Sequence, residues 1–241
     1  MKPNGKIKSI PCKLYNWGPC LFSTEVSKKV VGVLSEEITY ATKDAQKTLA
    51  GVLKRQIAYT TDSRNRIGKL LAPYFHGYLQ FLSLYTKKDI ETPNLSLEQL
   101  WCSYQYPGDY NPPHQHSGRF SFVIYLHIDH ALVAENNDYQ GTDVGPGGIT
   151  FSYGDGFKDN ITQQQFFPKP YQMFIFPSWL THFAAPYRHP NIVRTSVSGN
   201  VYDSLDRSYV EKSEEKNLTL SDTMLKTSYE NENPHSKLII I

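Results

Sequence analysis

The chain has 241 residues, enough for one large domain or one domain with an extension. Its 39% hydrophobic and 20% charged residues exclude a disordered polyelectrolyte and a membrane-embedded chain, and a sequence this long can bury a sizeable core. Lys+Arg 25 against Asp+Glu 23 leaves +2, with no run of like charge long enough to follow a phosphate backbone, so nucleic acid is not expected as the main partner.

The N-terminal stretch, residues 1–11, is polar and lysine-bearing, with no apolar signal core behind it. No run reaches the roughly 18 apolar residues that span a bilayer. A cytoplasmic protein without a membrane partner is expected. From Val26 to Ala41, apolar residues at Val26, Val30, Val33, Leu34, Ile38 and Ala41 recur at helical steps, with Ser23 or Thr24 available as a cap. A second helical stripe covers Ser63 to Tyr85, where Pro73 should start a new helix or kink this one. Both helices should cover a sheet face.

After Pro93 the pattern changes. The segments Leu100–Tyr106, Phe120–Ile128, Gly148–Tyr153, Gln172–Phe176 and Val193–Val201 are short, β-branched or aromatic, and bounded by Gly, Pro, Asn and Asp. No helix of useful length fits between them. Without βαβ alternation the sheets should be largely antiparallel, and about eight strands of this kind suit a jelly roll. The chain thus divides into a helical buttress over 1–95, a β core over 96–203 within the same domain, and a polar surface extension over 204–241. The segments Asn136–Gly147 and Gly154–Pro168 are long and polar enough to form lids over a barrel mouth. Cys12, Cys20 and Cys102 are odd in number and widely spaced, so reduced structural cysteines are expected.

The chemistry lies in the histidines. His114 and His116 form an HxH, and on a strand residues i and i+2 share a face, so both imidazoles can reach one ion about 2.1 Å away. His182, after an apolar strand and Pro177-Ser178-Trp179, is placed to supply a third ligand, which would leave open coordination positions. Arg194 and Ser196 share a face of the last strand. If that face is the interior, the guanidinium needs a carboxylate, and its planar fork suits the carboxylate of an organic acid. The literal HxD at His127-Ile128-Asp129 is a competing ligand pair, with Asp129 the alternative third ligand. His76, His130, His189 and His235 stand in no comparable constellation.

With these residues in place, the sequence resembles the iron(II)/2-oxoglutarate-dependent dioxygenases, and within them a branch of marine viruses and bacteria related to the prolyl hydroxylases. The similar segments are Trp101–Gly118, Ser121–Leu126, Gly145–Gly154, Phe174–Tyr187 and Arg194–Asn200. The resemblance implies a double-stranded β-helix and a cofactor set of Fe(II), 2-oxoglutarate and O2. It also implies oxidative decarboxylation to succinate and CO2, coupled to hydroxylation of a peptide, prolyl peptides included, or a small molecule. It places iron on His114, His116 and His182, with His116 standing where the family usually has Asp or Glu. By the same resemblance Arg194 grips the distal carboxylate of 2-oxoglutarate, helped by Ser196 and Tyr125, while Tyr104 lies against the cosubstrate near the iron. Two other readings fit parts of the sequence. A cupin barrel matches Gly108 and His114-Gln115-His116 but lacks the acidic residue expected in Ser117–Phe122, and a viral jelly-roll binding or structural module would hold no metal.

Overall fold

A computed structural model describes residues 18–90, 95–156 and 161–203. In chain order the elements are β1 (Phe22–Glu25), α1 (Lys28–Glu37), β2 (Lys43–Asp44), β3 (Arg55–Ala58), α2 (Thr61–Thr86), β4 (Ser96–Gln105), β5 (Asn111–His114), β6 (Phe120–His127), α3 (His130–Asn137), β7 (Ile149–Ser152), β8 (Gln163–Phe166), β9 (Gln172–Pro177), β10 (Thr181–Ala184) and β11 (Arg194–Tyr202). A seven-stranded sheet runs β1-β9-β6-β11-β4-β3-β2 and a four-stranded sheet β5-β10-β7-β8, with every pairing antiparallel. The eight strands from β4 to β11 divide equally between the two sheets, the wrapping of a double-stranded β-helix, and β1, β2 and β3 widen the larger one.

Period-two alternation gives the large sheet two chemically distinct faces. Phe120, Phe122, Ile124, Met173, Ile175, Val197, Val201, Leu100 and Cys102 face α1 and α2 and pack on Val30, Leu34, Ile67, Leu71, Phe75 and Tyr78. The opposite face turns Val123, Tyr125, Phe174 and Phe176 into the barrel, where Ile149, Phe151 and Leu180 meet them from the smaller sheet and its turns. The expected cover of a sheet face by helices is present.

Several local expectations are corrected. Ser23 and Thr24 lie in β1, paired with Phe174 and Met173, and Ser27 caps α1 by accepting from Val30 N–H at 3.3 Å. Pro73 neither starts nor ends a helix, because α2 runs through it from its Thr60 cap to the left-handed Lys87. A helix, α3, does fit between the strands. Its Asp129 carboxylate caps the first turn by accepting from Ala131 N–H at 2.8 Å, which occupies the acidic half of the HxD pair. Among the described residues before 96, three strands, β1, β2 and β3, accompany the helices.

Cys20 and Cys102 are free and buried, and burial pushes the Cys102 thiol up to about 11, so both are inert packing groups. Cys12 and the extension over 204–241 lie outside the described residues. Among those residues no helix is long and apolar enough to cross a membrane.

The Phe75 ring sits 5.5 Å from Phe120 and 5.4 Å from Phe122 and joins α2 to the large sheet. Phe75→Ala should cost about 3–5 kcal/mol in urea unfolding. A loss under 1 kcal/mol would show that the helices do not stabilise the sheet through this contact.

Candidate metal centre and anion pocket

His114 closes β5 and lies directly opposite His182 of β10, a cross-strand pair whose side chains leave the sheet on the same side. His116, two residues on, keeps that face and is fixed where its backbone N–H donates to the Ser178 carbonyl at 2.9 Å. The turn after it needs Gly118. With φ at +95°, a side chain there would be strained, and its Cβ would come within 2.9 Å of the Val201 carbonyl.

One ligand nitrogen from each of His114, His116 and His182 lies within 4.8 Å of the others. Nitrogens sharing one ion at about 2.1 Å stand about 3–4 Å apart, so closing on a metal takes side-chain movement on the order of 1 Å. Nδ1 of His114 lies 2.7 Å from the Pro112 carbonyl and Nδ1 of His182 2.9 Å from the Leu180 carbonyl. A carbonyl only accepts, so both Nδ1 atoms carry the proton and both Nε2 lone pairs are left for a metal. Burial, reinforced by the neighbouring imidazoles, holds His182 down at about 3 and His116 at about 4, and burial also lowers His114. All three are neutral ligands near pH 7. Among the described residues no other group of three His, Cys, Asp or Glu is close enough to share an ion. The donor set therefore contains no carboxylate, unlike the common arrangement of two histidines and one carboxylate.

On the cavity wall Arg194 is 5% exposed. One of its terminal nitrogens donates to the Gly147 carbonyl, its Nε has no partner, and its guanidinium carbon lies 5.2 Å over the Tyr125 ring. Neither of the two ion pairs among the described residues involves it. Gly147 can present its carbonyl because its φ is +72° and a Cβ there would touch Leu132 at 3.0 Å. Tyr125 and Ser196 are cross-strand partners beside Arg194 and line the same cavity as the histidines. Burial raises the Tyr125 phenol, which stays protonated, and neither hydroxyl has a hydrogen-bond partner among the described residues. The Tyr187 hydroxyl donates to the Gln105 carbonyl and accepts from Arg194 N–H at 3.4 Å, which steadies the start of β11.

The structure thus brings together six of the seven expected residues: His114, His116, His182, Arg194, Ser196 and Tyr125. Tyr104 is the exception. It pairs with Thr195, one step out of phase with Ser196, and so faces the helix side of the sheet, where Arg55 stacks over its ring at 4.6 Å. A one-residue phase difference reverses the face. The cavity-facing residues of β4 are Trp101 and Ser103, which alternate with Cys102 and Tyr104, so the signal for them was present in the strand pattern. Gln56, Asn111 and the segment Leu49–Gly51 also line the cavity, and neither motif nor spacing points to them. Of the two expected lids, 136–147 contributes only the Gly147 contact to Arg194, while 154–168 is partly outside the described residues. His127, Asp129 and His130 belong to no group close enough to share an ion among the described residues, and His76, His127, His130 and His189 are exposed.

Residues 99–200 match the family described as "Putative 2OG-Fe(II) oxygenase". A comparison with curated proteins gives no match. Among solved structures, a Pseudomonas putida prolyl-4-hydroxylase aligns over 76% of this chain and 92% of its own at 15% identity and TM-score 0.46. The viral collagen prolyl hydroxylase of Paramecium bursaria Chlorella virus-1, in its 2OG complex, aligns over 75% and 94% at 14% identity and TM-score 0.45. A Trichoplax adhaerens prolyl hydroxylase in complex with a hypoxia-inducible-factor peptide aligns over 80% and 86% at 10% identity and TM-score 0.43.

The depressed histidines make a signed prediction for the metal-free protein. Between about pH 4 and 6.5 the unfolded chain binds more protons at these sites than the folded one. Stability is therefore full above pH 6.5 and falls as pH drops towards the folded-state values, by up to about 1.4 kcal/mol per pH unit for each histidine. Urea midpoints between pH 7.5 and 5.5 should fall in the native protein and fall less in His182→Ala. Equal slopes would contradict the burial of a neutral imidazole at residue 182.

Proposed function

We propose that this chain, which belongs to the 2OG-Fe(II) oxygenase family through its residues 99–200, holds Fe(II) on His114, His116 and His182 and the distal carboxylate of 2-oxoglutarate on Arg194, Tyr125 and Ser196. Its activity is Fe(II)- and 2-oxoglutarate-dependent dioxygenation, and the family match displaces the cupin and non-catalytic readings. The observation that carries the residue assignment is the buried Arg194, a cation with an unpartnered Nε beside two unengaged hydroxyls, in the same cavity as three imidazole lone pairs.

The residues fit the groups the family requires. Three neutral imidazoles leave the +2 charge of the ion uncompensated, and a dianionic diacid offsets it. Fe(II) with 2-oxoglutarate and O2 supplies, when bound, the oxidising power that hydroxylates a substrate and releases succinate and CO2. The chain's part is positioning. His114 and His182 are held in one tautomer by the Pro112 and Leu180 carbonyls. Arg194 is held by Gly147 and Tyr187, and Tyr125 offers a phenol that burial keeps protonated. Apolar rings exclude water, with Phe176 4.7 Å and Phe151 6.0 Å from His182. The substrate is a peptide, prolyl peptides included, or a small molecule.

Incubated with Fe(II), 2-oxoglutarate and air, the native protein should form succinate at least tenfold above a His182→Ala control. Arg194→Met should raise the KM for 2-oxoglutarate by about 10- to 100-fold, the loss expected when a charged hydrogen-bonding partner is removed. Succinate at the control level would contradict the activity, and an unchanged KM would remove Arg194 from the cosubstrate site.

A further inference from the structure

Four strands of the large sheet carry a polar row across the cavity: Tyr125 of β6, Ser196 of β11, Ser103 of β4 and Gln56 of β3, each registered against the next. Two of these, Tyr125 and Ser196, serve the anion pocket. Gln56, at the far end, is 3% exposed, and its Nε2 donates to Ser103 Oγ at 3.1 Å. Its Oε1 is buried and accepts from nothing. An amide oxygen left this way is destabilising, and a ligand N–H or O–H would relieve it.

Around that oxygen the cavity is built for an uncharged group. Apart from the three histidines, Arg194 and Tyr125, which serve the metal and the anion, the cavity lining carries no ionisable side chain; it includes Leu49, Ala50, Gly51, Trp101, Ser103 and Asn111. The Asn111 carboxamide has no hydrogen-bond partner among the described residues, so it offers both a donor and an acceptor. Gly51 faces both amides: a Cβ there would collide with Asn111 Oδ1 and Leu53 and stand 3.3 Å from Gln56 Oε1. The missing side chain lets the Asn111 carboxamide and Leu53 pack against the Gly51 backbone, which brings the Asn111 carboxamide close to the Gln56 oxygen.

We propose that Gln56 and Asn111 form a substrate-positioning subsite that reads an uncharged amide, Gln56 Oε1 accepting its N–H and Asn111 holding its carbonyl. A peptide-type amide supplies a donor and an acceptor together, as this pair requires, while a charged group would find no counter-ion there. Gln56 acts by orienting the group to be oxidised towards the histidines and takes no part in holding the metal or the diacid. This inference rests on the dioxygenase reading of the neighbouring site.

The test is a binding measurement on the full chain saturated with Zn(II) and 2-oxoglutarate, which cannot turn over. N-Methylacetamide and N,N-dimethylacetamide, which has no N–H, are titrated and followed by the side-chain amide resonances in NMR. The native protein should bind the N-methylamide at least tenfold more tightly. Gln56→Leu should erase that preference and Gln56→Glu, which keeps an acceptor, should retain it. Both variants should keep the native affinity for 2-oxoglutarate, which shows that the fold and the anion pocket are intact. Equal binding of the two probes, no binding of either, or a preference that survives Gln56→Leu would overturn the subsite. Failure of the native protein to bind Zn(II) and 2-oxoglutarate would instead bring down the dioxygenase reading itself, and the subsite with it.

Discussion

A guanidinium sealed inside a barrel with no carboxylate paired to it among the described residues is the constraint around which this site is arranged. Removing a charge from water costs several kcal/mol even after relaxation, and the Gly147 carbonyl and the Tyr125 ring recover only part of it. Burial accordingly pulls the Arg194 pKa below its ordinary value, although arginine remains charged. A cation kept at such cost, with Tyr125 and Ser196 holding unused hydroxyls beside it, is half of an interaction whose other half is an anion.

The second half of the proposed site is a face of three neutral imidazoles. Three neutral imidazoles hold an ion as well as two imidazoles and a carboxylate do in geometry, but they leave one more unit of positive charge on it. With Arg194 across the same cavity, the empty pocket is strongly cationic once a metal enters, and a dianion is the ligand best matched to it. Binding of cosubstrate and retention of metal should therefore support each other more strongly here than in a site with its own carboxylate.

The sequence made the barrel and most of this site legible because both depend on period-two alternation, which strands display openly. His114 and His116, like Arg194 and Ser196, are i, i+2 pairs, and their common face could be read directly. His182 could be placed because it follows the strand that ends at Pro177. What remained hidden depended on pairing between distant strands. Tyr104 was carried over by similarity, yet its phase against Ser196 is set by the register of β4 on β11. Gln56 is recruited by the pairing of β3 with β4, which nothing local encodes. The short helix α3 and its Asp129 cap lacked a helical apolar stripe, so an N-cap carboxylate looked like half of a ligand pair.

The most direct test of the central claim is X-ray absorption of the Fe(II)-loaded protein, with and without 2-oxoglutarate under nitrogen. The account predicts an outer-shell imidazole scattering pattern fitted by three histidines at about 2.1 Å, reduced to two in His116→Ala and unchanged when the diacid displaces water from the ion. Fewer than three histidines in the native protein, or a histidine count unchanged in His116→Ala, would contradict it.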